Sequence, residues 1–123
     1  MSSIYLDTYA IIEMLNANLD YEKYKSGYGY LLTDFNLVEL YYSLIKTGAD
    51  EEKAQEIVGQ LKEFSIQIDS SIIFQAGHMR LRMKDRSLSY ADCVGYITAR
   101  KFGIPFLTGD KEFKDMEGVI FIK

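Results

Sequence analysis

The chain has few of the residues and patterns that mark secreted or membrane proteins. Its only cysteine, Cys93, has no partner for an internal disulfide, in agreement with a reducing compartment. No apolar run approaches the roughly 20 residues of a membrane span. Residues 1–7 lack the basic start and the long apolar stretch of a signal peptide. We therefore expect a cytoplasmic protein that has no membrane partner.

Positive charge is also scarce. Only 14 lysines and arginines stand against 18 aspartates and glutamates, and the formal net charge is −4. The chain as a whole therefore does not attract nucleic acid, and any such contact would depend on the local basic clusters at 80–86 and 100–114. Runs of this kind are more often solvated helix faces.

The overall composition is typical of one small globular domain. With 123 residues, of which 48% are hydrophobic and 26% charged, the chain can bury roughly two thirds of the surface that its unfolded form exposes. These fractions argue against intrinsic disorder. We expect a single domain over residues 1–123, because a second domain has no room.

Hydrophobic spacing predicts short strands separated by helices. The predicted strands are 4–6, 66–68, 104–107 and 119–122, and the predicted helices are 8–17, 19–25, 34–47, 50–64, 70–83 and 90–102. Gly27 and Gly29 are predicted to mark a turn, and Gly48 and Gly103 to end helices. Strands alternating with helices favour parallel pairing. We predict an α/β fold: a doubly wound, mainly parallel sheet of about 4–5 short strands flanked by helices, as an α/β/α sandwich.

Four acids lie where apolar runs meet polar or small residues: Asp7, Glu39, Asp92 and Asp110. Asp7 and Asp110 follow predicted strands, and ligands bind at the carboxyl ends of parallel strands. Each aspartate also has a simpler interpretation, because Asp7 can cap a helix, Asp92 can complete a capping box with Ser89, and Asp110 can cap a turn. Glu39 lies among apolar residues, where an unpaired carboxylate is costly. Acids that lie close together repel, and a divalent cation is the simplest compensation.

The segments around these acids resemble, in their order and spacing, the PIN domain, the metal-dependent ribonuclease fold of VapC-like toxins. The segments are 4–8, 36–40, 88–93 and 106–113, and the resemblance covers the whole chain. It implies that Asp7, Glu39, Asp92 and Asp110 meet at one end of the sheet, act in catalysis and hold Mg²⁺ or Mn²⁺, which prefer oxygen ligands.

The resemblance further implies an endoribonuclease that cleaves RNA phosphodiester bonds as the toxin of a type II toxin–antitoxin pair. The metal would bind a phosphate oxygen and acidify a water, which Glu39 or Asp92 would orient or deprotonate. Thr8 and Thr108 would hydrogen-bond to the carboxylates or to metal-bound water. The number of metals stays open, as does a contribution from Glu112 or Asp115.

The resemblance also implies a homodimer and a cognate antitoxin. Tyrosines crowd the region where such a partner would bind, since the ring is large and apolar and the hydroxyl is polar; they are Tyr21, Tyr24, Tyr28, Tyr30, Tyr41 and Tyr42. Ordinary core positions are the alternative for these side chains.

Two other functions remain open. The first is a non-catalytic RNA- or protein-binding relative with the same fold, although the presence of all four acids argues against it. The second is an aspartate-based phosphotransfer domain. A haloacid-dehalogenase-like phosphatase needs a second aspartate two residues after the first, where this chain has Tyr9. A receiver domain needs an acidic pair near the first strand and a lysine after the last, and neither is clear here.

Overall fold

Four parallel strands form the centre of the computed structural model, which describes residues 2–123. The strands are β1 (Ser2–Leu6), β2 (Tyr28–Leu31), β3 (Phe106–Thr108) and β4 (Val119–Phe121). Their order in the sheet is β2-β1-β3-β4, and every neighbouring pair is parallel. The predicted α/β fold with a parallel sheet is confirmed. β1 and β3 lie side by side in the middle, so their carboxyl ends meet at one edge.

Within residues 2–123, five α-helices connect and cover the strands. They are α1 (Thr8–Leu15), α2 (Asp34–Lys46), α3 (Glu51–Leu61), α4 (Ser70–Arg82) and α5 (Tyr90–Phe102), with short 3₁₀ helices at Leu19–Tyr24, Lys62–Phe64 and Lys111–Phe113. α5 ends at Gly103, whose φ of 66° is left-handed and suits glycine, as predicted. None of the helices in the described part of the chain combines the length and the apolar character that crossing a membrane requires.

Side chains that alternate along β1 build a separate core on each face of the sheet. Tyr5 packs with Phe106 and with residues of α4 and α5 on one face. Ile4 and Leu6 pack with Leu107 and with residues of α1 and α2 on the other. Burial on both faces explains why these strands are nearly continuous apolar runs, and it fixes which side chains leave the sheet at its edge.

The predicted second strand at 66–68 is wrong, and the actual second strand is β2. The segment after α3 makes only an isolated bridge between Leu32 and Ser65. β2 pairs with β1 over four positions, and Gly29, which we predicted to mark a turn, pairs there with Ser3. Aromatic residues favour strands, and the tyrosines on either side of Gly29 outweigh the turn preference of one glycine.

Gly109 follows β3 directly, and it lets the ends of β3 and β4 approach each other closely. A Cβ at this position would come within 2.4 Å of the carbonyl oxygen of Ile122 and 2.2 Å of the Tyr9 ring. Only glycine fits without a shift of the backbone. This contact fixes the path of the chain immediately before Asp110.

The tyrosine cluster divides between core and surface, which corrects the prediction of one partner surface. Tyr21 and Tyr24 are buried in the core beside α1. The Tyr21 hydroxyl donates to the carbonyl of Ile122, so it ties the 3₁₀ helix to the end of the sheet. Tyr42, on α2, is 65% exposed and remains available for contact with a partner.

Candidate active site

The structure brings the four predicted acids to one cavity of about 370 Å³. Asp7 follows β1 and Asp110 follows β3, so both lie at the carboxyl edge of the sheet. Glu39 reaches this edge from α2 and Asp92 from the first turn of α5. The cavity is lined by Asp7, Thr8, Tyr9, Ile12, Glu39, Tyr42, Ser43, Ser87, Ser89, Asp92 and Asp110. No lysine or arginine occurs in this lining among residues 2–123.

Asp7 occupies the N-cap position of α1, but its side chain makes no capping hydrogen bond. Instead, Oδ2 accepts a hydrogen bond of 2.6 Å from Thr108 Oγ1. The side chain is 2% exposed. Burial raises the pKa of Asp7 to about 7, and the nearby charges of Asp92 and Glu39 act in the same direction. The capping interpretation of this residue is therefore wrong, and its charge is costly without a cation.

Asp92 both starts α5 and faces the cavity. The predicted capping box is present: the Ser89 N–H donates to Asp92 Oδ2 at 2.7 Å, and the Asp92 N–H donates to Ser89 Oγ at 3.0 Å. Burial raises the pKa of Asp92 to about 6, against the Ser89 hydrogen bonds, which lower it; the charges of Glu39 and Asp110 raise it further. The Asp92 side chain therefore caps α5 and also belongs to the acidic cluster.

Thr108 links Asp7 to Asp110. The backbone N–H of Asp110 donates to Thr108 Oγ1 at 3.0 Å, and the same hydroxyl donates to Asp7 Oδ2. Asp110 Oδ1 accepts from the Glu112 N–H at 3.0 Å, so the predicted turn cap is also present. Thr108 is fully buried, and its hydroxyl therefore sets the relative positions of the acids that follow β1 and β3.

Glu39 is half-buried on α2 and is held by Thr8. Thr8 Oγ1 donates to Glu39 Oε1 at 2.9 Å. Thr8 and Thr108 therefore each orient one carboxylate of the cavity. Each of the four acids accepts one of these hydrogen bonds on a single oxygen.

Comparison with known proteins adds the family. The family model of the PIN domain matches residues 4–119. The chain belongs to the PIN domain family. No curated protein matches it by sequence.

Solved structures share the fold of this PIN domain at low sequence identity. VapC20 of Mycobacterium tuberculosis, a Sarcin-Ricin loop cleaving toxin, superposes with a TM-score of 0.79 at 16% identity, over 98% of both chains. A toxin–antitoxin complex from Klebsiella pneumoniae gives 0.74 at 18% identity, over 95% of both chains. VapBC2 of Rickettsia felis, bound to a promoter DNA fragment, gives 0.70 at 19%, over 98% of this chain and 97% of that one. At these identities the likeness establishes the fold.

The acids of this PIN domain suit a hard divalent cation by their chemistry. The donors are oxygens only, two of the carboxylates have a raised pKa, and no basic side chain in the described lining offsets them. Among residues 2–123, no three His, Cys, Asp or Glu side chains are arranged so that they could hold a metal as they stand. A bound cation would draw the carboxylates closer together, because it would remove the repulsion between them.

Glu112 and Asp115, whose contribution to the site the sequence left open, lie outside the cavity lining. Arg86 contacts the carboxylate of Asp115 at 3.2 Å, and the same guanidinium donates to the Glu112 carbonyl. The Arg86 hydrogen bond lowers the pKa of Asp115, a fully solvated carboxylate. Cys93 is buried, and burial raises the pKa of its thiol to about 11, so it is a packed side chain.

Asn36 is the contributor that sequence reasoning missed. It is fully buried beside Thr8, and its Nδ2 donates to Thr8 Oγ1 at 3.1 Å. A signal was present in the sequence. Thr33 and Asn36 have the spacing of a capping box, and at the start of α2 the Thr33 N–H donates to Asn36 Oδ1 at 3.1 Å. A buried amide three residues before Glu39 lies on the same side of the helix.

Proposed function

We propose that this PIN domain is a divalent-metal-dependent endoribonuclease that hydrolyses RNA phosphodiester bonds. The observation that carries the proposal is the clustering of Asp7, Glu39, Asp92 and Asp110 at one cavity whose described lining has no basic side chain. A phosphate cannot approach such a cluster without a cation, because four carboxylates repel it. PIN nucleases generally use divalent metals, and the structurally similar VapC20 is a Sarcin-Ricin loop cleaving toxin.

In this proposal the four acids hold Mg²⁺ or Mn²⁺ through the oxygens that accept no internal hydrogen bond. The bound cation supplies positive charge for a phosphate oxygen and for the acidification of water. Thr108 keeps Asp7 in place and Thr8 keeps Glu39 in place.

Unpaired RNA fits the open cavity better than a duplex does. A phosphate of an A-form duplex is held in a stiff double helix, whereas an unstacked strand can bend so that its phosphate enters a small acidic cavity. The substrate class is therefore single-stranded or loop RNA.

Removal of the metal should abolish RNA cleavage reversibly. We expect EDTA to stop cleavage of a fluorescent single-stranded RNA, and an excess of Mg²⁺ or Mn²⁺ to restore it, because the carboxylates alone cannot neutralise the phosphate. Fluorescence dequenching measures the rate. Cleavage that continues in EDTA after exhaustive dialysis would contradict the proposal.

A calcium experiment separates catalysis from the alternative of a non-catalytic binding relative. Calcium can occupy oxygen sites of this kind, so RNA retained with Ca²⁺ and cleaved with Mn²⁺ supports an enzyme. RNA binding that is never followed by cleavage, with any metal, would favour the binding relative.

We also propose that the protein is the toxin of a pair and that its antitoxin binds a groove between α2 and α3. The groove has a volume of about 780 Å³ and is mostly apolar, being lined by Asp34, Leu37, Val38, Tyr41, Tyr42, Ile45, Lys46, Val58 and Lys62. Val38 is 71% exposed and Ile45 40% exposed. Apolar grooves of this form accept an amphipathic helix. Solved relatives include toxin–antitoxin complexes.

Substitution of Val38 by aspartate should prevent binding of that partner. A buried charge in the groove costs several kcal/mol, so we expect the variant to lose co-purification with the product of the neighbouring reading frame. RNA cleavage by the free variant should equal that of the wild type, since Val38 is not in the cavity lining. Equal co-purification of both proteins would rule out the groove.

Size-exclusion chromatography of the free protein tests the proposed homodimer.

A further inference from the structure

A buried chain of hydrogen bonds runs from the core to Glu39, and Asn36 lies at its centre. Asn36 is fully buried. Its Oδ1 accepts from the Tyr5 hydroxyl and from the backbone N–H of Thr33 at 3.1 Å. Its Nδ2 donates to Thr8 Oγ1 at 3.1 Å, and that hydroxyl donates to Glu39 Oε1 at 2.9 Å. The chain thus connects β1, α2 and α1 to one carboxylate of the cavity.

The direction of every bond in this chain is determined by chemistry. A backbone N–H can only donate, so the Asn36 atom that meets Thr33 is the oxygen, and the atom that faces Thr8 is the NH₂ group. Because that NH₂ can only donate, the Thr8 hydroxyl accepts from it and directs its own hydrogen to Glu39. Burial raises the pKa of Tyr5, so the phenol stays protonated and donates to Asn36.

We propose that Asn36 is a positioning residue that acts through Thr8 to hold Oε1 of Glu39, so that Oε2 is the oxygen offered to the cation. The inference rests on the proposed metal-dependent function, because it concerns how Glu39 takes part in that site. Residues that orient metal ligands typically change the metal affinity by about 10- to 100-fold when they are removed.

Helix capping alone does not account for an amide at this position. The cap of α2 needs only an acceptor for the Thr33 N–H, which is Oδ1. Aspartate, glutamate or glutamine can supply such an acceptor. The hydrogen bond from Asn36 Nδ2 to Thr8 Oγ1 connects α2 to α1. An ionised carboxylate in place of Asn36 would have no hydrogen to donate to Thr8. The NH₂ group of Asn36 therefore serves Thr8 and, through it, Glu39, and has no part in the cap.

A double-mutant cycle with Mn²⁺ as the probe tests this proposal. We would measure Mn²⁺ dissociation constants by electron paramagnetic resonance for the wild type, Asn36→Leu, Thr8→Val and the double variant, after circular dichroism has established that each is folded. We expect each single variant to bind Mn²⁺ about tenfold more weakly. The double variant should bind no more weakly than either one, because both changes break the same chain.

Two controls separate orientation from loss of stability. Thr8→Ser keeps the hydroxyl and should keep the wild-type Mn²⁺ affinity. Asp50→Ala removes the N-cap of α3, where Oδ2 accepts from the Lys53 N–H at 3.0 Å; it should lower the melting temperature and leave Mn²⁺ affinity unchanged. If Asn36→Leu does not fold, Asn36→Ser replaces it in the cycle, because its shorter, neutral side chain removes the amide donor to Thr8 without adding a charge.

The outcomes are distinct. Unchanged Mn²⁺ affinity in a folded Asn36 variant, or losses that add in the double variant, would overturn the positioning role while the proposed nuclease stands. A wild-type protein that binds no Mn²⁺ would overturn the proposed function and this inference together.

Discussion

Replacement of Asp7 by asparagine should lower metal-dependent RNA cleavage by about a thousandfold, which corresponds to roughly 4 kcal/mol in the transition state. The physical reason is the loss of a carboxylate that has no capping role and lies among three other acids. A bound cation is worth several kcal/mol of charge stabilisation, and a neutral amide holds it poorly. Single-turnover cleavage of a fluorescent RNA in Mn²⁺ measures the effect.

The same variant should fold at least as well as the wild type. Asparagine keeps an oxygen to accept the Thr108 hydrogen bond and removes a buried charge. At pH values above 7, the metal-free variant should therefore be more stable than the metal-free wild type. Asp115→Asn is the matched control, because that carboxylate is exposed and pairs with Arg86 outside the cavity lining; its cleavage rate should match the wild type. Full activity in Asp7→Asn would remove the basis of the metal site.

The metal-free protein should lose stability as the pH rises from 5 to 8. The pKa of Asp7 is raised from 3.8 to about 7 and that of Asp92 from 3.8 to about 6, so the folded state binds more protons than the unfolded state in this range. The stabilisation is fully present below the unfolded pKa and is lost as the pH passes through the folded pKa. For Asp7 the change is on the order of 3 kcal/mol, or roughly 10 °C in melting temperature.

Thermal unfolding in EDTA at pH 5, 6.5 and 8 and constant ionic strength measures this loss. The Asp7→Asn variant should show a much flatter dependence, which separates Asp7 from other groups that titrate in the window. Asp34 and Asp69 have lowered pKa values, so their contributions disappear only at more acidic pH. Mn²⁺ should raise the melting temperature more at pH 8 than at pH 5. A metal-free melting temperature that climbs from pH 5 to pH 8 would contradict the described burial of Asp7.

Much of the fold could be predicted because the strongest sequence signals are local. The ends of α5 follow from Ser89 and Gly103, and β1 and β4 follow from short apolar runs. β2 could not be predicted in the same way, since its pairing with β1 is a long-range contact and its glycine favours a turn. The segment after α3 has strand-like residues, but β2 already occupies that edge of β1.

The candidate site could be predicted as a set of acids but not as a network. The positions of Asp7 after β1 and of Asp110 after β3 follow from strand prediction, and the grouping of these two with Glu39 and Asp92 follows from the resemblance to the PIN domain. Asn36 was missed because its importance depends on Thr8 and Tyr5, which are distant in sequence and meet it only after folding. The assignment of Asp7, Glu39, Asp92 and Asp110 as metal ligands stays a prediction until a metal is bound.

The double use of capping acids has a consequence for how relatives of this protein can be judged. Asp92 and Asp110 cap the starts of α5 and of the turn after β3, and a cap is typically worth about 1 kcal/mol, so a descendant without activity would still gain stability from both. Asp7 makes no cap and lowers the stability of the metal-free protein above neutral pH. Drift would therefore replace Asp7 early once cleavage no longer mattered, and its presence is a better sign of a working enzyme than either of the other aspartates.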